Sequence, residues 1–582
     1  MRIRDAELLT GLSRKTIRFY EAKGLLSVDR SDNSYREYDE EVVEQLKRIA
    51  VLRQAGISLA DIQLWQDSVI STEEMLQKRL SELRNEADLA MDQVKLCRRL
   101  LAGELQDLMG RIQEDSADDP DLEDGAALSA APLCLGIDIG TTTISAVVLD
   151  VTAGRAAGVY TIANGSDIPS ENVWEKMQDP EQIASRVRKL LESLFHRYPG
   201  VKSIGITGQM HGILYVDKDG SALSPLYTWQ DGRAGLGDPS PCEILRQRTG
   251  YTVSPGYGLA THFALTLQGT VPDGAAKICT VMDYIVMQLT ARTALVMHSS
   301  NAASLGFYLS AENRFDPEAV RQAGMDPAVL PETTPHGIIA GEWNGIPVTV
   351  AIGDNQASFL GSVRSPGHAA LANFGTGSQI SVMCPSADGI PTDGALELRP
   401  FMDSTWLASG SALCGGRAYA LLEKFFRQYA AACGLADAEQ YEIMNSLAAK
   451  ALDSGKYLNV RTTFCGTRND PSLRGSITGI SEDLLTPDAL TAGVLCGMAS
   501  ELHDMFMRIP HDSVDTLVIS GNAVRKNPAL RRMLKQVFGL ETVIPVHMEE
   551  AAFGAAMFSA LVTGCTGTPE EIRACVRYSD VN

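Results

Sequence analysis

The 582-residue chain lacks the features that mark secreted, membrane-embedded and zinc-stabilised proteins. It has no uninterrupted apolar run of about 18 residues that would span a bilayer, and its start, MRIRDAELL, is too polar for a secretory signal. Its 11 cysteines are scattered, with no CxxC pair and no His/Cys cluster at zinc spacing. We therefore expect a cytoplasmic protein with free thiols and no membrane partner.

Two common nucleotide-binding motifs and an overall basic charge are also missing. Neither GxxxxGK[ST] nor GxGxxG occurs, which excludes a P-loop and a dinucleotide-binding turn. The net charge of −21 excludes a chain that is basic throughout, although a single segment can still be basic. The length exceeds what one hydrophobic core usually spans, so we expect several domains.

A helix-turn-helix is predicted at the start of the chain. The segment DAELLTGL predicts a short helix, Gly11 a turn, and RKTIRFYEAKGLL a second helix that ends near Gly24. Polar side chains at the start of this second helix can meet phosphates and base edges in a major groove. These residues are Arg14, Lys15, Thr16 and Arg18. The turn-rich segment DRSDNSYREY then predicts a small wing.

The runs TIRFYEAKGLL, SYREY and VEQLKRIAVLRQAGISLADI resemble the MerR family of transcriptional regulators over residues 1–70. The resemblance implies a winged helix-turn-helix domain that binds a double-stranded DNA operator. It also implies that three further residues support contacts to the DNA backbone, namely Tyr20, Arg36 and Tyr38. A retained fold that only packs is the alternative.

A long amphipathic helix is predicted over residues 71–113. Its apolar positions run from Leu76 to Ile112 in steps of 4 and 3 whose alternation is broken once, which favours a coiled-coil dimerisation helix. A single helix packed on its own domain gives a similar stripe. In the resembling family this helix pairs antiparallel across a twofold axis, which implies a homodimer. Residues 114–132 are acidic without apolar periodicity and predict a flexible linker.

From Leu133 onwards strands alternate with helices, as in α/β domains. LCLGIDI predicts a buried strand, GTTT a polar turn and ISAVVLD a returning strand. Such a turn offers backbone N–H groups and hydroxyls to phosphates, and Asp138 at the strand end can hold the water shell of a metal ion. Asp354 follows another apolar strand, where a carboxylate can accept a proton from a hydroxyl that attacks a γ-phosphate. An Asp that only caps the following helix is the simpler alternative.

Two further glycine turns lie in ANFGTGSQISV and LVISGNAVRKN. With GIDIGTTT, GITGQMHG, TWQDGR, NAASLGFY, GDNQAS, GTRNDPSLRG and EEAAFGAAMFSAL, they resemble the FGGY carbohydrate kinases of the actin-like ATPase superfamily over residues 133 to about 575. The resemblance implies an α/β actin-like (RNase H-like) fold of two lobes, residues 133–362 and 363–575. It also implies ATP and Mg²⁺ as cofactors.

The resemblance further assigns roles to individual residues. Asp354 is the implied general base, and Asp138 the implied organiser of Mg²⁺. The implied ATP-binding residues are Thr141, Thr142, Gly375, Thr376, Gly377, Gly521 and Asn522. The implied sugar-binding residues are Gln209, His211, Trp229, Asp231 and Asn301.

Within the family, GQMHGILYV, YTWQDGR and GYGLATHFAL are most similar to sedoheptulokinases, so a sedoheptulose-like ketose is favoured and other ketoses stay open. One departure concerns the residues before NAAS, where such chains often carry an acid and this one has Ser299 and Ser300. We therefore predict a bifunctional protein, a DNA-binding regulator and a ketose kinase. The alternatives are a sugar and ATP sensor with little turnover, and a kinase whose helix-turn-helix only dimerises.

Overall fold

The computed structural model describes residues 2–80, except 11, 13, 27–28 and 31–35, and residues 132–580, except 388, 391–393, 436–437, 468–469, 471 and 567. The predicted coiled-coil helix beyond residue 80 and the predicted linker up to residue 131 lie outside these ranges. The described chain forms two compact units, residues up to 80 together with 185–200, and residues 132–184 with 201–580. Within these ranges no helix has the length and apolar character needed to cross a membrane.

The first unit begins with helices around one small strand pair. These elements are α1 (Ile3–Thr10), α2 (Arg14–Ala22), β1 (Asp29–Arg30), β2 (Arg36–Glu37), α3 (Glu40–Gln54) and α4 (Leu59–Gln66). Residues 72–80 are also helical. Capping side chains define two of the helix starts, because Asp39 accepts from the N–H of Val42 at 2.8 Å and Ser58 from that of Asp61 at 3.1 Å.

Side chains of α3 and α4 hold the chain that follows α2. Gln45 Nε2 donates to the Leu25 carbonyl at 3.1 Å, and Gln63 Nε2 donates to the Lys23 carbonyl at 2.6 Å. Ile17 of α2 is fully buried. These bonds fix the end of α2, so the exposed face of that helix is presented by a rigid support.

One helix is shared between the two units. This helix is α5 (Pro180–Arg197), whose residues from 185 belong to the first unit and whose first residues belong to the second. Within the first unit, Asp67 accepts hydrogen bonds from the side chains of Ser193 and Arg197. Arg186 pairs with Glu74 at 3.3 Å.

The first lobe of the second unit is built on a six-stranded sheet, and smaller strand pairs surround it. Its strands are β3 (Leu133–Ile139), β4 (Thr143–Asp150), β5 (Arg155–Ala163), β6 (Asp167–Ile168), β7 (Met177–Gln178), β8 (Val201–Gly208), β9 (Leu214–Val216), β10 (Leu226–Tyr227), β11 (Lys277–Cys279), β12 (Val296–His298), β13 (Tyr308–Leu309), β14 (Arg314–Phe315), β15 (Glu332–Thr334), β16 (Ile339–Trp343) and β17 (Ile346–Thr349). The main sheet has the order β16-β17-β8-β3-β4-β5. In it β3 pairs antiparallel with β4 and parallel with β8.

Helices of the first lobe connect and cover these strands. Besides α5 they are α6 (Pro241–Thr249), α7 (Gly258–Gln268), α8 (Val281–Thr290), α9 (Ser299–Ser304), α10 (Pro317–Ala323) and α11 (Asp354–Ser362). Capping explains where α8 begins, since Thr280 accepts from the N–H of Asp283 at 3.3 Å.

The second lobe has a seven-stranded sheet of order β20-β21-β19-β18-β24-β25-β26 and a separate β22-β23 pair. Its strands are β18 (Ala369–Phe374), β19 (Ser378–Cys384), β20 (Leu396–Pro400), β21 (Trp406–Ala412), β22 (Asn459–Arg461), β23 (Ser476–Thr478), β24 (Thr516–Ser520), β25 (Glu541–Pro545) and β26 (Tyr578–Asp580). Its helices are α12 (Gly416–Ala432), α13 (Tyr441–Ser454), α14 (Pro487–Phe506), α15 (Asn522–Lys526), α16 (Pro528–Phe538), α17 (Glu550–Val562) and α18 (Pro569–Arg573).

Helices α11 and α17 form a core that draws on both large sheets. Glycines make this packing possible, because a Cβ at Gly136 of β3 would lie 1.9 Å from the Ala552 carbonyl oxygen. A Cβ at Gly554 of α17 would lie 1.8 Å from the Ala357 carbonyl oxygen of α11. The predicted lobes 133–362 and 363–575 are therefore joined by one continuous core, and α17 packs directly on the sheet of the first lobe.

Candidate active site

Three carboxylates from distant parts of the chain interact at the junction of the two lobes. Asp138 lies near the end of β3, Asp354 is the first residue of α11, and Glu549 directly precedes α17. Burial raises the pKa of Asp138 to about 7, and the negative charges of Asp354 and Glu549 contribute to this rise. A site that crowds negative charge in this way favours a cation.

The Asp354 carboxylate stands in a mixed environment. Burial raises its pKa, while the positive charge of Arg399 and the N–H of Asn355 oppose this rise. A carboxylate whose pKa is raised towards neutrality holds a proton more readily than a solvated one, which suits a general base. Both predicted carboxylates therefore lie in one electrostatically coupled group.

The donor set fits a magnesium ion held partly by water and phosphate. Within the described ranges, no three or more His, Cys, Asp or Glu side chains come close enough to hold a metal ion between them. Mg²⁺ commonly uses one or two carboxylates and completes its octahedron with water and substrate phosphates. Asp138 and Asp354 offer such oxygens, and their mutual repulsion is what a divalent cation would relieve.

The turn after β3 is tied directly to predicted sugar-binding residues. Thr141 Oγ1 accepts from Trp229 Nε1 at 3.1 Å and donates to Gln209 Oε1 at 3.4 Å. Gln209 is buried, whereas Trp229 is 48% exposed and its indole remains open to a ligand. Thr142 is exposed beside them. The structure thus brings the predicted phosphate turn and part of the predicted sugar site together.

The second predicted phosphate turn connects β18 to β19 and lies next to the third glycine turn. Gly375 and Thr376 are exposed, and their carbonyls accept from the N–H groups of Gly416 at 3.0 Å and Arg417 at 3.0 Å. Because β18 and β24 are parallel neighbours, their carboxyl ends bring the two turns to the same edge. A Cβ at Gly521, which has a φ of +93°, would lie 2.4 Å from the Phe374 carbonyl oxygen. The grouping includes Gly377 and the exposed Asn522.

The segment before α11 is held by residues that had been expected near the sugar. Ser300 Oγ accepts from the N–H of Gly353, directly before Asp354, at 2.9 Å. Asn301 is fully buried, and its Nδ2 donates to the Ala351 carbonyl at 3.1 Å. Ser299 is also fully buried. Ser300 and the predicted sugar ligand Asn301 therefore support the segment that precedes Asp354 in this structure.

The carboxylate of Asp231 is buried and bonded to groups within the protein, so it is not exposed to a ligand. The residue is 1% exposed, and its carboxylate pairs with the Arg233 guanidinium through bonds of 2.6 and 3.0 Å. It also accepts from the N–H of Lys176 at 3.1 Å. The predicted bidentate acceptance from a sugar is replaced here by bidentate acceptance from Arg233.

His211 belongs to a chain of contacts that reaches the second lobe. Its ring stacks on Tyr257 with centroids 4.5 Å apart, and Tyr257 donates its hydroxyl to Glu397 at 2.6 Å. Glu397 in turn accepts from Arg399 at 2.6 Å. Sequence reasoning missed Tyr257, Glu397, Arg399 and Glu549. Glu549 in EEAAFGAAMFSAL and Tyr257 in GYGLATHFAL lay within quoted motifs, whereas Glu397 and Arg399 did not.

The predicted DNA-binding residues separate into exposed and buried groups. Lys15, Arg18 and Arg14 are exposed at the start of α2, although Arg14 pairs with Glu7 at 2.7 Å. Thr16 is half-buried, and Arg36 pairs with Glu21 of α2 at 2.7 Å.

Two of the predicted contacts to the DNA backbone need correction. Tyr38 is fully buried with its hydroxyl, and Tyr20 is 6% exposed. These rings pack in the core of the N-terminal domain, because an aromatic side chain gains more from apolar burial than from a phosphate contact. They support α2 from behind.

Comparison with known proteins then identifies the family. The N-terminal domain model of the FGGY family of carbohydrate kinases matches residues 133–361, and the C-terminal domain model matches residues 370–562. The chain belongs to this family. The model of the MerR HTH family of regulatory proteins matches residues 1–68 of the same FGGY chain. Both resemblances expected from the sequence are confirmed.

Individual relatives support a carbohydrate kinase. Sedoheptulokinase of Mus musculus is 27% identical over 471 residues, which cover 74% of this chain and 98% of that protein. Xylulose kinase of Streptomyces coelicolor is 24% identical over 469 residues, which cover 75% of this chain and 90% of that protein.

Solved structures show the same fold. A xyloylose kinase from Brucella ovis aligns with a TM-score of 0.66 and 21% identity over 77% of this chain and 93% of that chain. A gluconate kinase from Lactobacillus acidophilus aligns with a TM-score of 0.67 and 18% identity, with the same coverage of both chains. The predicted two-lobed kinase fold is therefore confirmed.

Proposed function

We propose that this FGGY kinase transfers the γ-phosphate of ATP to a hydroxyl of a sedoheptulose-like ketose, and that its N-terminal domain binds operator DNA. The observation that carries the kinase proposal is the coupled pair Asp138 and Asp354 at the junction of the two lobes. The two glycine turns at the ends of β18 and β24 support a nucleotide on the second lobe.

In the proposed reaction Asp354 accepts the proton of the attacking sugar hydroxyl. The backbone N–H groups of the turns at 140–142 and 375–377 donate to phosphate oxygens, and Thr141 and Thr142 add hydroxyls. Asp138 would hold Mg²⁺ at the nucleotide phosphates, where the ion would neutralise developing phosphate charge. Packing of α11 between the sheets fixes the direction from which Asp354 approaches.

The sugar site is proposed beside the first turn. The exposed Trp229 indole offers a face for the sugar ring or chain, and His211 is the proposed hydrogen-bonding partner of the sugar. Gln209 is buried with its amide bonded to Thr141 and Gln178, so it holds the turn beneath this surface. Asp231 and Asn301 act behind this surface by holding the turn and the strand end. The similarity to sedoheptulokinases of mouse and man supports a long ketose.

Release of ADP in the presence of a panel of ketoses tests this proposal. We expect turnover with at least one of sedoheptulose, xylulose, ribulose and fructose, and the highest kcat/KM with sedoheptulose. A sugar that stabilises the protein together with ATP but never yields ADP would favour the alternative of a sensor without turnover.

The DNA-binding part of the proposal rests on the face of α2. Arg14, Lys15 and Arg18 lie exposed on a helix that α3 and α4 hold in place. The β1-β2 pair comes after α2 in the position of a wing. Residues 71–113 would supply the homodimer that a palindromic operator requires.

An enzyme whose helix-turn-helix only dimerises remains the second candidate, and a DNA-binding measurement separates it.

A further inference from the structure

Two thiols lie close together beside the phosphate turn of the second lobe. Cys414, between β21 and α12, is 1% exposed, and its sulfur lies 3.7 Å from the sulfur of Cys465. Cys465 is half-buried, so small reagents can reach it from solvent. Nothing in the proposed transfer of phosphate requires either thiol.

The two thiols differ in their access to solvent. The half-buried Cys465 sulfur is the one that a peroxide can reach, and the Arg417 guanidinium lies 3.7 Å from it. Cys414 is 1% exposed, and burial together with the adjacent Cys465 raises its pKa to about 12. Cys465 is therefore the attacking thiol, and Cys414 is the resolving thiol behind it.

We propose that Cys414 and Cys465 form an oxidation site, at which hydrogen peroxide or an organic peroxide converts the two thiols to a disulfide. The Cys465 thiolate attacks a peroxide oxygen, which breaks the O–O bond and yields a sulfenic acid and hydroxide or alkoxide. The Cys414 sulfur then attacks the Cys465 sulfur. The S–S bond forms, the S–O bond breaks, and the oxygen leaves as water with the Cys414 proton. Two thiols lose two electrons and the peroxide gains them.

The reaction needs only a small movement. A disulfide bond is about 2.05 Å long, so the sulfurs must approach by roughly 1.7 Å from their present separation. Rotation of the half-buried Cys465 side chain and a shift of its loop can supply this approach, since the loop lies at the surface.

The residues directly after Cys414 would transmit the effect of the bond to the phosphate turn. A Cβ at Gly415 would lie 2.4 Å from the Gly377 carbonyl carbon, so the two backbones are in direct contact. The N–H groups of Gly416 and Arg417 donate to the carbonyls of Gly375 and Thr376, both at 3.0 Å. A pull on Cys414 is therefore transmitted to residues 375–377, and this consequence rests on the proposed ATP-binding role of that turn.

The test treats the whole chain with hydrogen peroxide and maps disulfides by mass spectrometry of non-reduced peptides. We expect a peptide linked through Cys414 and Cys465, together with a fall in kcat/KM for ATP of about tenfold or more that dithiothreitol reverses. Cys465→Ser should keep its activity under peroxide, whereas Cys433→Ser, which removes an exposed thiol elsewhere, should respond as the unaltered protein does.

Each other result overturns part of the inference. Absence of the linked peptide after other thiols have been oxidised would overturn the oxidation site itself, whether or not the protein is a kinase. A linked peptide without any change in kcat/KM for ATP would overturn its action on the phosphate turn. Loss of Cys465→Ser activity under peroxide would assign the sensitivity to other thiols.

Discussion

Individual side chains at the lobe junction are arranged around negative charge. The charges that raise the pKa of the half-buried Asp138 both come from carboxylates, those of Asp354 and Glu549. Such an arrangement costs free energy in the ligand-free protein and is retained where a bound cation reverses the cost. Asp283, buried in the first turn of α8, is a third carboxyl group of the first lobe whose pKa is raised.

Replacement of the proposed metal-organising carboxylate should impair phosphate transfer. In Asp138→Asn we expect kcat to fall on the order of 100-fold, with a higher Mg²⁺ concentration needed for half-maximal rate. Steady-state ADP release across a Mg²⁺ titration measures both quantities. Asp219→Asn, an exposed change in the same lobe, is the control, and equal Mg²⁺ dependence in the two variants would count against the assignment.

The stability of the first lobe should depend on the charge of Asp283. Burial raises the pKa of Asp283 to about 7. In the unfolded chain the pKa of an Asp is about 3.9. Between these pH values the folded chain holds a proton that the unfolded chain has lost, so the stability contributed by this group falls as pH rises. The difference in Tm between Asp283→Asn and the parent protein should therefore shift in favour of the variant as the pH rises from about 5 to about 7.5. A Tm difference that is constant over this range would show that the carboxyl is not protonated when buried.

At the residue level, motifs predicted part of the site. An acid at the end of an apolar strand and a glycine turn after it are local patterns, so Asp138, Asp354 and the turns could be proposed directly. The role of Tyr257 could not, because its contact with Glu397 joins residues 140 positions apart. Arg399 is also distant in sequence from Asp354, whose pKa its charge lowers. Asp231 and Arg233 both lie within the WQDGR motif, so the opposite charge two residues away could have indicated an internal ion pair in place of a sugar contact.

Pairs of secondary-structure elements place Asp354, the proposed general base. Helix α11 carries Asp354, and its packing on α17 and both large sheets determines where that residue points. The strand-helix alternation predicted the α/β class correctly. It could not predict that α17 packs on the sheet of the first lobe, since an apolar helix does not encode which of two sheets it covers. Gly136, Gly205 and Gly554 reflect that choice through the close contacts they permit.

A methyl group at the α11-α17 crossing should destabilise the kinase unit. In Gly554→Ala the new Cβ would meet the Ala357 carbonyl oxygen at 1.8 Å, so the helices must separate. We expect the free energy of unfolding to fall by about 1–3 kcal/mol or more, as in other overpacked cores. Turnover should fall as well. Gly367→Ala, where a Cβ meets no atom within 4 Å, should change stability by less than about 0.5 kcal/mol. Chemical denaturation compares the two, and similar midpoints would refute the tight crossing.

The whole molecule joins a MerR-type domain to an FGGY kinase in one chain. Motifs identified both parts, because each carries a long ordered set of residues. Sequence reasoning treated the 114–132 segment as the connection between them. It did not predict that most of α5 groups with the first unit, because surface partners such as Asp67 and Arg197 obey no periodic pattern.

Removal of cations from α2 should weaken DNA binding and its salt dependence together. For the Arg14→Ala, Arg18→Ala double variant we expect affinity for the promoter region of its own gene to fall about tenfold or more, with a salt slope smaller by about two. Lys218→Ala, Lys456→Ala removes two exposed cations from the second unit and is the matched control. Binding by fluorescence anisotropy over a salt series measures both. An unchanged slope would leave dimerisation as the role of the N-terminal domain.

The proposal that this chain joins a kinase to a DNA-binding domain is tested most directly by Asp354→Asn. The variant is measured as the full chain, with the ketose that supports the fastest ADP release. We predict that kcat falls about 10³-fold, while ATP binding and affinity for the promoter fragment stay within about twofold of the parent values. Asn keeps the size of the side chain at the first position of α11, so a loss of turnover reports the missing base. A kcat within about tenfold of the parent value would contradict the assignment of Asp354 as the general base.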